Sequence, residues 1–145
     1  MQFDRKIVDQ IKRHEGFRAR PYLCSAGKTT IGWGRNLDDR GISQEEAEVL
    51  LEHDIEGAIN GLAERMPEFT LLIHAGEQVR AWVLVNMAFN LGVHGLLEFR
   101  RMREALRCAD YAEAAEQMLD SRWAKQVGGR ALELAEQMRR GRWRK

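Results

Sequence analysis

Glu15-Gly16-Phe17-Arg18-Ala19-Arg20-Pro21-Tyr22-Leu23-Cys24-Ser25-Ala26-Gly27-Lys28-Thr29-Thr30-Ile31-Gly32-Trp33-Gly34 is the stretch on which the fold turns. Before it, residues 4–14 place Ile7, Val8 and Ile11 on one side, with Asp4 early enough to cap, which predicts a short helix ending near Glu15-Gly16. From Phe17 the helical period breaks. Pro21 and the glycines punctuate the run, and Phe17, Tyr22, Thr29, Thr30, Ile31 and Trp33 favour strands. Cys24-Ser25-Ala26-Gly27 reads as the turn of a hairpin flanked by Cys24 and Thr30. Strand alternation puts Thr29 and Ile31 on the face opposite Thr30. An acid at a helix end is thus followed by a thiol and a hydroxyl on two short strands. That set suits hydrolysis of a bond held between an acid and a positioned water.

Working outward, Asp38-Asp39-Arg40-Gly41 reads as a loop closing the β-rich part. Ser43-Gln44-Glu45-Glu46 is a capping box directly before an apolar-periodic run through Ala47, Leu50, Leu51, Ile55, Ala58, Ile59 and Leu62. The run predicts a long helix over about 43–66, stopped by Pro67, which could bridge the β-rich start to the rest. Asp54 sits on its apolar stripe and needs a partner if buried. Helical patterns follow near 76–91, 96–107, 111–123 and 130–140, separated by Gly92-Val93-His94-Gly95, Cys108-Ala109-Asp110 and Gly128-Gly129. The expected fold class is α+β, mainly helical: a small N-terminal β-hairpin lobe (about 15–42) joined by the long helix to a helical lobe (about 67–145), all within a single domain.

Composition agrees with a globular chain: 145 residues, 44% hydrophobic, 31% charged and a net charge of +1. The balance hides an acidic stretch at 43–56 and a basic end, Arg139-Arg140-Gly141-Arg142-Trp143-Arg144-Lys145, suited to nucleic acid, anionic lipid or an anionic cell-wall polymer, or else a plain solvated end. Cys24 and Cys108 read as free thiols of a chain folded in a reducing cytoplasm. The start has no apolar signal core. The histidines have no spacing that suggests a metal site, and neither metal nor cofactor is expected.

Eight residues separate Glu15 from Cys24 and five separate Cys24 from Thr30. With Glu-Gly-x-Arg at 15–18, Pro-Tyr at 21–22 and Thr-Ile-Gly-x-Gly at 30–34, this spacing resembles the phage-type lysozymes, the endolysins of tailed bacteriophages. Val79-Arg80, the run Asn86-Met87-Ala88-Phe89-Asn90-Leu91-Gly92, then Ser121-Arg122-Trp123, Arg130 and Gly141-Arg142-Trp143 continue the resemblance along nearly the whole chain. It implies a lysozyme-like fold, with helix 4–14 packed on the helical lobe. It also implies a muramidase that cuts the β-1,4 bond between N-acetylmuramic acid and N-acetylglucosamine in peptidoglycan.

On this resemblance Glu15 is the general acid and must be protonated, which a partly desolvated site would favour. Cys24 stands where many members have a catalytic aspartate. It either holds the attacking water with the Thr30 hydroxyl, giving inversion, or attacks the sugar itself, giving retention. The family's usual chemistry is inverting. Lys28, Arg18 and Arg20 are the nearby cations that could ionise the thiol. The resemblance further implies substrate contacts at Asn36, Phe89, Gln117 and Arg130, the last near the catalytic glutamate, and an Arg35–Asp54 ion pair. Met102 replaces a polar cleft residue of some relatives, and a short 36–43 connection replaces an inserted helix and loop.

The implied partners are the glycan strand of peptidoglycan and a membrane-permeabilising holin, with no nucleic acid and a monomeric state. The implied location is host cytoplasm until release, then periplasm and cell wall. The rival reading is a non-catalytic protein that binds wall or membrane through its basic C-terminal tail.

Overall fold

The computed structural model describes residues 1–144; Lys145 of the basic tail lies outside the described residues. Two units are resolved, Met1–Leu50 and Leu51–Lys145, and the division falls inside one continuous helix.

In the first unit, α1 (Arg5–Glu15) starts where expected, the Asp4 carboxylate accepting the Lys6 N–H at 2.8 Å. Strand β1 (Arg18–Leu23) pairs antiparallel with β2 (Thr29–Gly32), matching Arg18 with Gly32, Tyr22 with Thr30 and Leu23 with Thr29. The register slips between Arg18 and Tyr22, where Pro21 has no N–H to give the ladder. Cys24 opens the hairpin turn: its N–H donates to the Lys28 carbonyl at 2.9 Å and its carbonyl accepts from Gly27 at 2.8 Å.

The expected hairpin gains a third strand, β3 (Arg35–Asn36), paired with β2 through Thr30–Asn36 and Ile31–Arg35. The loop expected at 38–41 is instead a single helical turn, α2 (Leu37–Arg40), because Asn36 caps it: the Asn36 Oδ1 accepts the Asp39 N–H at 3.0 Å.

The capping box opens α3 (Gln44–Arg65) as read. Ser43 Oγ accepts the Glu46 N–H at 3.1 Å, and Glu46 Oε1 accepts the Ser43 N–H at 2.9 Å. Glu46 also takes Arg35 in a two-pronged pair, Nη1 to Oε1 at 2.9 Å and Nη2 to Oε2 at 2.5 Å. This overturns the expected Arg35–Asp54 pair. Glu46 belongs to the same unit as Arg35, and Asp54 is exposed and needs no partner. The Arg35 guanidinium, helped by the Ser43 N–H, holds the Glu46 carboxyl down at about 2.

In the second unit Pro67 does not merely stop α3. It occupies the first turn of α4 (Pro67–His74), where its missing N–H costs nothing. Helix α5 (Gln78–Leu91) buries Ala81, Val83, Leu84, Val85, Met87 and Ala88, so both of its sides lie in the core. Around it come α6 (Val93–Leu97), α7 (Arg100–Arg107), α8 (Tyr111–Leu119), α9 (Arg122–Val127) and α10 (Gly129–Arg140). Helix α10 packs on α5 and α8, and α7 packs on α4 and α8. Leu62, Met66, Leu72, Leu96, Met118 and Met138 fill the space between them.

Two polar devices lock this unit. Glu68, 1% exposed, accepts from Arg103 at 3.1 Å and Arg107 at 2.5 Å. Arg80 donates to the last carbonyls of α10, Met138 at 2.7 Å and Arg139 at 2.9 Å, with its guanidinium over the Tyr111 ring. The chain can leave α10 there only as Gly141, since a Cβ would stand 2.7 Å from the Arg80 guanidinium carbon.

Candidate active site

The first unit holds four of the seven candidate residues, Glu15, Cys24, Thr30 and Asn36, on elements joined by the sheet. Glu15 is the last residue of α1 and is exposed. Its carboxylate lies against Gly34, which turns β2 into β3 with φ +76°. A Cβ at Gly34 would sit 2.7 Å from Glu15 Oε2 and 2.8 Å from its carboxyl carbon. Gly34 therefore sets where the acid can stand, a role that the Thr-Ile-Gly-x-Gly pattern hinted at only as a turn.

If Glu15 is the general acid that the resemblance implies, Gly34→Ala is expected to lower hydrolysis about 10²-fold by displacing the carboxylate roughly 1 Å. It should also cost about 1 kcal/mol from the positive φ. Steady-state rates and a thermal melt check both; an active Gly34→Ala enzyme would remove this contact from the mechanism.

Thr30 is the buried threonine of the pair, 3% exposed, and Cys24 beside it is partly open to solvent. The Thr30 hydroxyl donates to the Lys28 carbonyl at 2.9 Å. Backbone hydrogen bonds from Lys28 and then Ala26 to the sulfur hold the Cys24 thiol below its ordinary value. The Thr30 hydroxyl adds to this effect. Two of the three expected cations are engaged elsewhere. The Lys28 ammonium sits 3.3 Å from Asp39, and Arg18 stacks on Tyr22. The hairpin backbone does what side-chain charge was expected to do.

Asn36 spends both ends of its amide on Asp39, its Nδ2 donating to Oδ2 at 2.9 Å while its Oδ1 caps α2. Beside Glu15, Phe17 and Trp33 form an exposed aromatic pair, 5.0 Å between ring centres, with the Lys12 ammonium over Trp33. Sequence reading took both only as strand formers.

The second unit holds the other three, Phe89, Gln117 and Arg130, each with its own neighbours. Phe89 is 43% exposed and lines a cavity of about 350 Å³ with Asp54, Ala88, Gly92 and Val93. Asp54 thus belongs to a cavity wall rather than to an ion pair. Gln117 lines a second cavity of about 620 Å³ with Met102, Phe99 and Trp123, and its amide donates to Glu113 at 2.7 Å. Arg130 is held by Asn86, Nη2 at 2.6 Å and Nε at 3.0 Å from Oδ1. Trp123, 3% exposed, donates its indole N–H to Asn90 at 2.8 Å.

The phage lysozyme family model matches residues 12–142, so the match runs from before Glu15 to beyond α10. The chain belongs to the phage lysozyme family. It is a glycoside hydrolase that acts on peptidoglycan. The probable T4-type lysozyme 1 of Dictyostelium discoideum is 26% identical to it, across 86% of this chain and 88% of the relative. An endolysin of Acyrthosiphon pisum secondary endosymbiont phage 1 is 29% identical, across 92% and 88%. The pre-baseplate central spike protein Gp5 of Enterobacteria phage T4 is 26% identical, across 86% of this chain but only 26% of that longer protein. The enzyme's described helices include none long and apolar enough to cross a membrane.

Proposed function

We propose that this enzyme is an endolysin whose catalytic groups are Glu15 and Cys24, with Thr30 and Gly34 positioning them. Glu15 gives its proton to the glycosidic oxygen between N-acetylmuramic acid and N-acetylglucosamine. Cys24, as thiolate, orients a water onto the opposite face of the sugar and takes its proton, so the new reducing end forms with inversion. The observation that carries this reading is the partly open Cys24 held at the hairpin turn, its N–H on the Lys28 carbonyl, beside the buried Thr30, an arrangement that lowers the thiol from its ordinary value. Thr30 is buried, so it acts by steadying the thiolate more than by touching water. Asn36, Phe89, Gln117 and Arg130 contact the glycan strand. Release to the wall from the host cytoplasm requires a holin, and the working form is a monomer.

Lowering the thiol's pKa has a definite sign. Activity that needs the thiolate rises with pH as Cys24 ionises, so the rising limb falls below the ordinary thiol range near ~8.5. Cys24→Ser should lose this limb and about 10²-fold in rate. Anomer-resolved NMR of the first product on wild type and variant decides the stereochemistry. Inversion with muramic acid at the new reducing end supports the proposal. Retention with a sulfur-linked glycosyl adduct would replace water activation by direct attack.

A further inference from the structure

The Asp38-Asp39-Arg40-Gly41 segment turns its acids onto the hairpin that carries Cys24. Asp38, in the first turn of α2, accepts the Thr29 N–H on its Oδ2 at 2.8 Å. Asp39 takes the ammonium of the preceding residue, Lys28, at 3.3 Å. The Lys28 carbonyl in turn receives both the Cys24 N–H and the Thr30 hydroxyl, each at 2.9 Å. That carbonyl and the Thr29 N–H belong to one planar peptide unit, so gripping the N–H fixes the direction of the oxygen. Both site residues hang on that one oxygen.

A single helical turn would fray alone, yet α2 is anchored at both ends. Asn36 Oδ1 accepts the Asp39 N–H at its start, and Arg35, itself paired with Glu46 of α3, donates to the Gly41 carbonyl at its end, at 3.2 Å. The two acids do not count equally. The Lys28–Asp39 pair is exposed on both sides and contributes little. The bond from a backbone N–H to the Asp38 carboxylate is charge-assisted and acts on the peptide itself.

We infer that Asp38 is a positioning residue for the reaction: from α2 it grips the Lys28–Thr29 peptide and so fixes the carbonyl on which Cys24 and Thr30 are set. This role rests on the one proposed for Cys24 and deepens it. With the grip lost, the turn loosens and the thiol moves back up toward its ordinary value, because the Lys28 backbone is the first of the causes that hold it low. The charge of Asp38 acts in the opposite sense, since a carboxylate near a thiolate disfavours it. Around the turn, Arg18 is stacked on Tyr22, Arg35 is taken by Glu46 and Lys28 by Asp39, while Arg20 and Arg40 are exposed. Position and charge at residue 38 therefore predict opposite signs.

Alkylation reads the Cys24 thiol directly. Wild type, Asp38→Asn and Asp38→Ala are treated with iodoacetamide at neutral pH, and the Cys24 peptide is followed by mass spectrometry, because Cys108 is also a free thiol. Asp38→Ala should react about tenfold more slowly, the loss of one charge-assisted hydrogen bond. Asp38→Asn keeps an acceptor for the Thr29 N–H and loses only the charge, so it should react at the wild-type rate or faster. Hydrolysis should follow: kcat of Asp38→Ala falls about tenfold at neutral pH with KM unchanged, and recovers as rising pH ionises the thiol. A carboxylate that only supported the fold would lower the melting temperature and leave alkylation and the pH profile unmoved.

Asp38→Ala reacting as fast as wild type, or Asp38→Asn as slowly as Asp38→Ala, overturns the inference. Should Asp38→Ala not fold, hydrogen exchange of the wild-type Thr29 amide decides: protection supports the grip, and exchange at the rate of an open amide refutes it. Wild-type hydrolysis by Cys24→Ser would refute the proposed reaction, while alkylation still judges Asp38.

Discussion

Glu15→Gln is expected to lower peptidoglycan hydrolysis about 10³-fold while binding to isolated cell walls stays intact. A positioned general acid supplies on the order of 10²–10⁴ in rate, and an amide has no proton to give the leaving oxygen. The substitution is nearly isosteric and the side chain is exposed at the end of α1, so neither the helix nor its contact with Gly34 should be disturbed. Turbidity loss of wall suspensions, sedimentation of bound protein and a melting curve make the measurement complete. Equal lysis by the variant would move the activity to the basic C-terminal segment and to a binding mode. Lost binding together with lost hydrolysis would make Glu15 a substrate contact instead of an acid.

The largest effect on stability is expected at Glu68. Its carboxylate is almost fully buried and serves Arg103 from one side and Arg107 from another. Truncation to alanine leaves Arg103, only 23% exposed, without its counter-charge and opens a void between α4 and α7. Breaking a buried pair by removing one partner costs about 3–5 kcal/mol. For a chain of this size that is a drop of roughly 10 °C in melting temperature. Glu68→Gln keeps the volume and one acceptor and should lose less than half as much. A loss below about 1 kcal/mol for Glu68→Ala would mean that the arginines find water or another carboxylate as readily.

These two positions differ in how visible they are in the chain. Glu15 is singled out by a local motif, whose members are its near neighbours along the chain. Glu68 is not. Its partners are 35 and 39 residues away, and only the folded helices bring them together. The same division runs through the fold. The Asp4 cap and the Ser43–Glu46 box were legible because capping is a matter of three or four consecutive residues. Helices α4 and α6 were not, being too short for a periodic pattern to outweigh their glycines and proline. Nor was the break between α8 and α9, because Ser121 caps a new helix inside what reads as one apolar run. Arg35 shows the limit from the other side. The partner expected for Asp54 was wrong because Asp54 is exposed, and Arg35 is taken by Glu46 through the placing of β3 and the start of α3. At the site, the residue types came from the motif. The source of the thiol's acidity, backbone amides of a hairpin turn, leaves no mark in side-chain identity.

The hold of Arg80 on the end of α10 sets an order of events during synthesis. A ribosome makes Arg80 long before it makes Met138 and Arg139, whose carbonyls that guanidinium finally occupies. Until then the nascent helical unit carries a guanidinium lacking two of its final acceptors and an α5 missing one of its walls. The first unit closes its sheet and its Arg35–Glu46 pair within fifty residues and can do so while the rest is still being translated. The helical unit instead lacks one wall of its core until its last helix is made, so a ribosome stalled within α10 would leave bare the apolar faces of α5 and α8 that α10 covers.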